Sequence, residues 1–313
     1  MVQQKIGVLV MSYGTPQSLD DVEAYYTHIR RGHAPTAEQL KELTDRYEAI
    51  VGGVFPLREN TNAQVDGLQN RLNELMPGRY VCYQGLKHAS PLIENGVEQM
   101  AQDGIGQAIG IVLAPHYSVM SVGGYVMRAK EKAAELGIKM KFVQSYHLHP
   151  KLIEALTARV SNVFEQLAPL QGDKPVKVLF SAHSLPEKIR ELGDPYEQQL
   201  LQTSEAIAEN TEIEDWQFTW QSAGRTHEPW LGPDILDTME QLAQEGYKAI
   251  LSAPIGFVSD HLEVLYDLDI EAKAKAEQLG VAFKRITMLN TDPLYMETLA
   301  ESVITISAQL GKD

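Results

Sequence analysis

One cysteine, Cys82, stands in a chain of 313 residues. An internal disulfide is excluded, and so is an iron–sulfur cluster, which needs about four thiolates. Long apolar runs are also missing. No stretch reaches the length of about 18 apolar residues that a bilayer demands, so no integral membrane segment is expected. Positive charge is scarce: 27 Lys and Arg stand against 42 Asp and Glu, a net charge of −15. Nucleic acid is not the expected partner, because such binding rests on basic residues that neutralise phosphates. Strand-like sequence begins at Lys5, which leaves no room for a secretory leader and points to a cytoplasmic protein. A glycine-rich phosphate cradle is missing as well. Gly104-Ile105-Gly106 with Gly110 has its third glycine one place late and precedes a strand instead of following it.

What is present is alternation. Short β-branched runs at Lys5 to Met11, Tyr80 to Gly85, Ala108 to Leu113 and Met140 to Ser145 are followed by four more at Val176 to Ala182, Gln217 to Gln221, Ala249 to Pro254 and Ala282 to Met288. Between them lie stretches of helical period: Leu19 to Arg31, Ala37 to Ala49, Gln64 to Leu75, Leu92 to Gln102, Leu152 to Gln166 and Pro233 to Gln244. Strands separated by helices make parallel sheets. The expected fold is α/β, two similar doubly wound, Rossmann-like domains with a four-stranded parallel sheet each and a cleft between them. Residues 1–149 and 150–313 form the halves, hinged near His149 and Pro150, with a last helix, Leu294 to Gln309, free to pack on either.

Ligands of such sheets sit beyond the carboxyl ends of the strands. Those ends carry Ser12 and Tyr13, Lys87 and His88, Pro115 and His116, Ser145 to His147, His183 and Ser184, Ser222, and Ser259 to Glu263. His183 follows a buried-looking strand and is either an accessible base and metal ligand or a cap on the strand end. Glu263, Asp267 and Glu271 fall at i, i+4 and i+8 of a helix, where like charges repel. They are either a cation route entering the cleft or a solvated face with Lys275 pairing Glu271. Tyr25, Tyr26, Arg30, Arg31, Arg46, Tyr47 and Lys87 combine flat apolar faces with carboxylate-binding cations, which suits a large planar ligand with peripheral carboxylates. His261-Leu262-Glu263 reads as H-x-E, but the zinc deaminase pattern needs two further cysteines. His147 and His149 are expected to be solvated hinge residues.

Six stretches in order carry a resemblance: Tyr25-Tyr26-Thr27-His28-Ile29-Arg30-Arg31-Gly32, Gly85-Leu86-Lys87-His88, Leu113-Ala114-Pro115-His116, Ser181-Ala182-His183-Ser184-Leu185-Pro186, Trp230-Leu231-Gly232-Pro233, and Gly256-Phe257-Val258 running into Asp260-His261-Leu262-Glu263. Together with Val8 to Pro16 they make the chain similar to the ferrochelatases, most closely the soluble bacterial type that acts on coproporphyrin III. The resemblance implies that His183 and Glu263 handle iron and pyrrole protons, facing each other across the macrocycle. Asp267 and Glu271 would continue the metal path, and Tyr13 would lie on the opposite side of the ring. Arg30, Arg46, Tyr47 and Tyr125 match macrocycle or propionate contacts, and Arg31, Lys87 and Trp230 join that porphyrin-binding set.

Ferrous iron is then a substrate, no permanently bound cofactor is expected, and the protein is expected to be a monomer. Two segments depart from the family pattern. Gly52-Gly53-Val54-Phe55-Pro56-Leu57, preceded by an extra Val51, has Phe55 where a serine is usual, and Gln221-Ser222-Ala223-Gly224-Arg225 has Ala223 and Arg225 where charged or amide residues are common. A protoporphyrin enzyme, a cobalt chelatase and a non-catalytic tetrapyrrole or metal carrier remain the alternatives.

Overall fold

The computed structural model describes residues 5–51, 55–224 and 226–310. The Gly52, Gly53, Val54 and Arg225 departures lie outside these residues. The first half runs β1 (Ile6–Ser12), α1 (Val22–Ile29), α2 (Ala37–Val51), α3 (Pro56–Leu75), β2 (Tyr80–Leu86), α4 (Ile93–Gln102), β3 (Gln107–Val112), α5 (Val122–Glu135) and β4 (Lys139–Phe142). The second runs α6 (Pro150–Leu167), β5 (Lys177–His183), α7 (Tyr196–Thr211), β6 (Trp216–Gln221), α8 (Ile235–Gln244), β7 (Ala249–Ala253), α9 (Leu262–Leu265), a π-helical turn (Asp267–Ala272), α10 (Lys273–Leu279), β8 (Ala282–Arg285) and α11 (Pro293–Ser307). Strand order is β2-β1-β3-β4 in one sheet and β6-β5-β7-β8 in the other, and the strand pairs are parallel. Both sheets therefore share one topology.

The central strands explain themselves. β1 reads Ile-Gly-Val-Leu-Val-Met-Ser and is buried throughout, as a parallel strand covered on both faces must be. The edge strands β4 and β8 are shorter than their apolar runs suggested, ending at Phe142 and Arg285 where no further strand partner follows. Two helices tie the halves together: α6, the first of the second half, packs on β7 and β8, whereas α11, the last of that half, crosses to pack on α3, β3 and β4. One continuous core, from Val8 and Val10 through Leu152 and Leu156 to Phe180 and Leu299, joins the halves as a result. The last helix thus packs on the first sheet, against α6. No helix among the described residues is long and apolar enough to cross a membrane.

Candidate active site

Between the carboxyl ends of both sheets opens a cavity of about 1890 Å³, well above the roughly 300–1,000 Å³ of a drug-sized ligand site. Ser12 ends β1 and Tyr13 follows it, Lys87 and His88 follow β2, His116 follows β3, His183 ends β5, and Ser259, His261 and Glu263 lead into and begin α9; each of these lines it.

His183 and Glu263 meet because β5 pairs with β7 and the chain leaving β7 turns back over the end of β5. Gly256 makes that turn possible. Its N–H donates to the Ser181 carbonyl at 3.1 Å, and a Cβ there would lie 2.3 Å from Ala182 Cβ. Nε2 of His183 lies 3.4 Å from Oε1 of Glu263. On the other oxygen, Nε2 of His261 lies 3.5 Å from Oε2. Nδ1 of His183 bonds the Ser184 carbonyl and Nδ1 of His261 the Ser259 carbonyl at 2.9 Å, so both rings present Nε2 to the carboxylate. For His183, donating from Nδ1 while Nε2 faces an anion is best satisfied with both nitrogens protonated. Burial works against both charges. The ion pair more than offsets it, holding Glu263 well below the usual carboxylate range and His183 above the usual imidazole range.

This contact corrects one expectation. At 3.4 Å no macrocycle passes between His183 and Glu263; they stand side by side on one wall, with Trp230 beside them, its ring 6.4 Å from His183.

A ferrochelatase family model matches residues 5–306. The chain is 47% identical over 307 residues to the coproporphyrin III ferrochelatase of Anoxybacillus flavithermus, covering 97% of either protein. It is 45% identical over 307 residues to the coproporphyrin III ferrochelatase of Bacillus subtilis, covering 97% of this chain and 98% of that one. The chain belongs to the ferrochelatase family. In fold it is similar to the cobalt complex of the sirohydrochlorin chelatase SirB from Bacillus subtilis subspecies spizizenii, with TM-score 0.62 at 8% identity over 99% of this chain and 98% of that one. The chelatase CbiX, the terminal enzyme of siroheme biosynthesis in denitrifying bacteria, gives TM-score 0.55 at 13% identity over 96% and 98%. At such identities the likeness is one of fold.

A ferrochelatase needs a metal and proton face and a grip on the ring, and the residues expected for each are placed unevenly. His183, Glu263, Asp267 and Glu271 do not gather as one ligand set: no group of three or more His, Cys, Asp or Glu able to hold a metal ion occurs among the described residues. Asp267 is buried and accepts from Arg46 Nη2 and from the Ser222 hydroxyl. Burial raises its pKa to about 6 against the pull of Arg46 and Ser222, with Glu263 and Glu271 adding to the rise. Glu271 is exposed. The i, i+4, i+8 stripe expected of an α-helix is interrupted, because the Glu271 N–H donates to the Tyr266 carbonyl five residues back, at 3.0 Å, and such π turns gather at functional sites. Of the bland alternative, the solvated Glu271 stands and the Lys275 pairing does not, since Lys275 pairs with Glu240 at 2.6 Å.

On the ring-binding side, Tyr13, Arg31, Arg46, Tyr47, Lys87, Tyr125 and Trp230 line the cavity. Arg30 does not; it bonds the His33 carbonyl at 3.2 Å and lies 5.7 Å from the Tyr26 ring. Lys87 rests over Tyr125, 4.9 Å from the ring centroid, and burial together with Arg128 and Arg31 lowers its pKa. Such a cation gains from an incoming carboxylate. The Tyr47 hydroxyl is shared with Thr15 at 3.3 Å, and its ring stacks 4.9 Å from Phe55. Phe55 is buried there, so the position that carries serine in the family fills a small apolar cluster instead.

Three cavity residues escaped the sequence. His261 was set aside with the deaminase pattern, yet its extended backbone puts it on the same side as Glu263 two residues on. Gln64 on α3 is wholly buried and donates to Ser259 at 2.9 Å and to the Asn290 carbonyl at 2.8 Å. His28 Nδ1 lies 3.0 Å from His88 Nδ1, and the His88 ring sits 4.7 Å from Tyr13. His147 and His149 are partly exposed and partnered, not freely solvated: His147 bonds Ser145 at 2.6 Å and Gln202 at 2.9 Å, and His149 lies 3.1 Å from Glu301.

Proposed function

We propose that this chain inserts ferrous iron into coproporphyrin III, acting as a cytoplasmic monomer with no resident cofactor. The observation that carries this reading is the His183–Glu263 pair on one wall of a cavity large enough for a tetrapyrrole. Metal insertion exchanges two pyrrole protons for one divalent ion. A base must therefore receive protons at the face where iron arrives, and a metal-ligating imidazole must give up its own. His183, held as an imidazolium beside Glu263, must first release its Nε2 proton into the open cavity; Nε2 can then take a pyrrole proton or ligate the metal, and Glu263 can hold either the imidazolium or the incoming cation. Tyr13 and Tyr125 would flank the ring, while Lys87 and Arg31 meet its carboxylates. Anaerobic mixing of purified protein, coproporphyrin III and ferrous iron should convert the free-base absorption bands to those of the metallated ring. Stoichiometric porphyrin binding without conversion would make the protein a carrier.

A further inference from the structure

Arg46 and Asp267 stand on two sides of one boundary. Arg46, on α2, lines the cavity, whereas Asp267, at the start of the π turn, does not. Nη2 of Arg46 donates to Oδ1 of Asp267, and the guanidinium lies 4.4 Å from the centroid of the Tyr266 ring. The Ser222 hydroxyl takes the other oxygen from a backbone at φ +58°, where non-glycine residues are uncommon. Asp267 therefore has both oxygens engaged. The guanidinium has five N–H donors and meets Asp267 through a single nitrogen, with its Nε buried and unpartnered. Its capacity for a bidentate carboxylate grip is unused.

We propose that Asp267 and a carboxylate of the macrocycle compete for the Arg46 guanidinium, so that docking of the ring loosens the Arg46–Asp267 pair. Two carboxylates on one cation repel each other, and the one arriving from the cavity can use donors that Asp267 leaves idle. Asp267 is then a positioning residue acting through Arg46. The carboxylate it recovers is not isolated, because Glu263 and Glu271 are close enough for their charges to act on it.

The inference rests on Arg46 meeting a substrate carboxylate, and the two claims can fail separately. The probe is metal-free coproporphyrin III, its affinity measured by fluorescence quenching without iron. Arg46→Ala should weaken binding; unchanged affinity would overturn the reading of Arg46 as a carboxylate contact. Asp267→Asn, and Asp267→Ser as a second variant, should tighten binding by about three- to tenfold, because the guanidinium is no longer neutralised from behind. In an Arg46→Ala background the gain should vanish. Unchanged or weaker binding by folded Asp267 variants would show that Asp267 merely scaffolds Arg46 and would overturn the exchange. A gain that persists without Arg46 would overturn it as well.

Discussion

Nε2 of His183 and Oε1 of Glu263, brought from a strand end and a helix start 80 positions apart in the sequence, lie 3.4 Å from each other. Groups in one ion pair act as a unit, so their removal should not be additive. His183→Ala and Glu263→Gln should each lower the rate of iron insertion by at least about a hundredfold, and the double variant by less than the product. Metal-free porphyrin binding should survive in all three. Stopped-flow metallation checks the rates; a single variant that keeps a third of wild-type turnover would remove that residue from the chemistry.

His116 reports on the seam between the halves. Its Nε2 meets the Thr203 hydroxyl of α7 at 2.9 Å, its Nδ1 is buried without a partner, and burial, with His147 nearby, lowers its pKa to about 3. The folded protein keeps the ring neutral while the unfolded chain protonates it near pH 6.5, so the unfolded state binds more protons and stability falls with acid. Relative to His116→Gln, wild type should lose up to about 1.4 kcal/mol per pH unit between roughly pH 6 and pH 4. The difference should be flat above pH 7. Denaturant melts of both proteins across this range supply the measurement, and parallel profiles would mean that His116 does not titrate between the two states.

Gly256 should tolerate no side chain. Its added Cβ would meet both Ala182 Cβ at 2.3 Å and Ala182 Cα at 2.8 Å, and backbone cannot yield as a flexible side chain does. Gly256→Ala should cost about 1–3 kcal/mol in urea unfolding and slow metallation, because the displaced segment carries His261 and Glu263. Wild-type stability would imply that the loop has room to move off β5.

The central strands and most helices were legible because their apolar periods match their burial. The start of α3 was not. Its sequence pattern begins at Gln64, yet the helix begins at Pro56, because the first turns bury Thr61 and Gln64 against the polar cleft and show no apolar stripe. Polar burial leaves no periodic mark. For the same reason residue identity gave His183 and Glu263 but not their distance: chain order places them in different elements, and only the β5–β7 pairing and the Gly256 turn set them side by side. Arg30 and Arg46 looked equivalent as carboxylate-binding cations. A loop carbonyl holds one and Asp267 the other, and neither partner is announced by local spacing.

These pairings bear directly on the choice between coproporphyrin, with four carboxylates, and protoporphyrin, with two. A rim with donors to spare should favour the former, since hydrogen bonds to charged groups contribute roughly 1.5–3 kcal/mol each before solvent at the cleft mouth reduces them. Arg30 is turned to the His33 carbonyl, Tyr47 to Thr15 and Arg46 in part to Asp267, while Phe55 offers no donor. Among the described residues that leaves Arg31 and Lys87, of the expected rim cations, to meet the additional carboxylates. The expected preference for coproporphyrin in kcat/KM is therefore at the lower part of a roughly ten- to thousandfold range, near tenfold. Lys87→Ala should erase most of it while sparing the metal face, whereas Arg30→Ala should leave it in place. Both porphyrins must be compared at one detergent concentration, so that aggregation of the less polar ring does not imitate selectivity. Equal efficiencies, or faster turnover of protoporphyrin, would defeat the substrate assignment and leave iron insertion itself untouched.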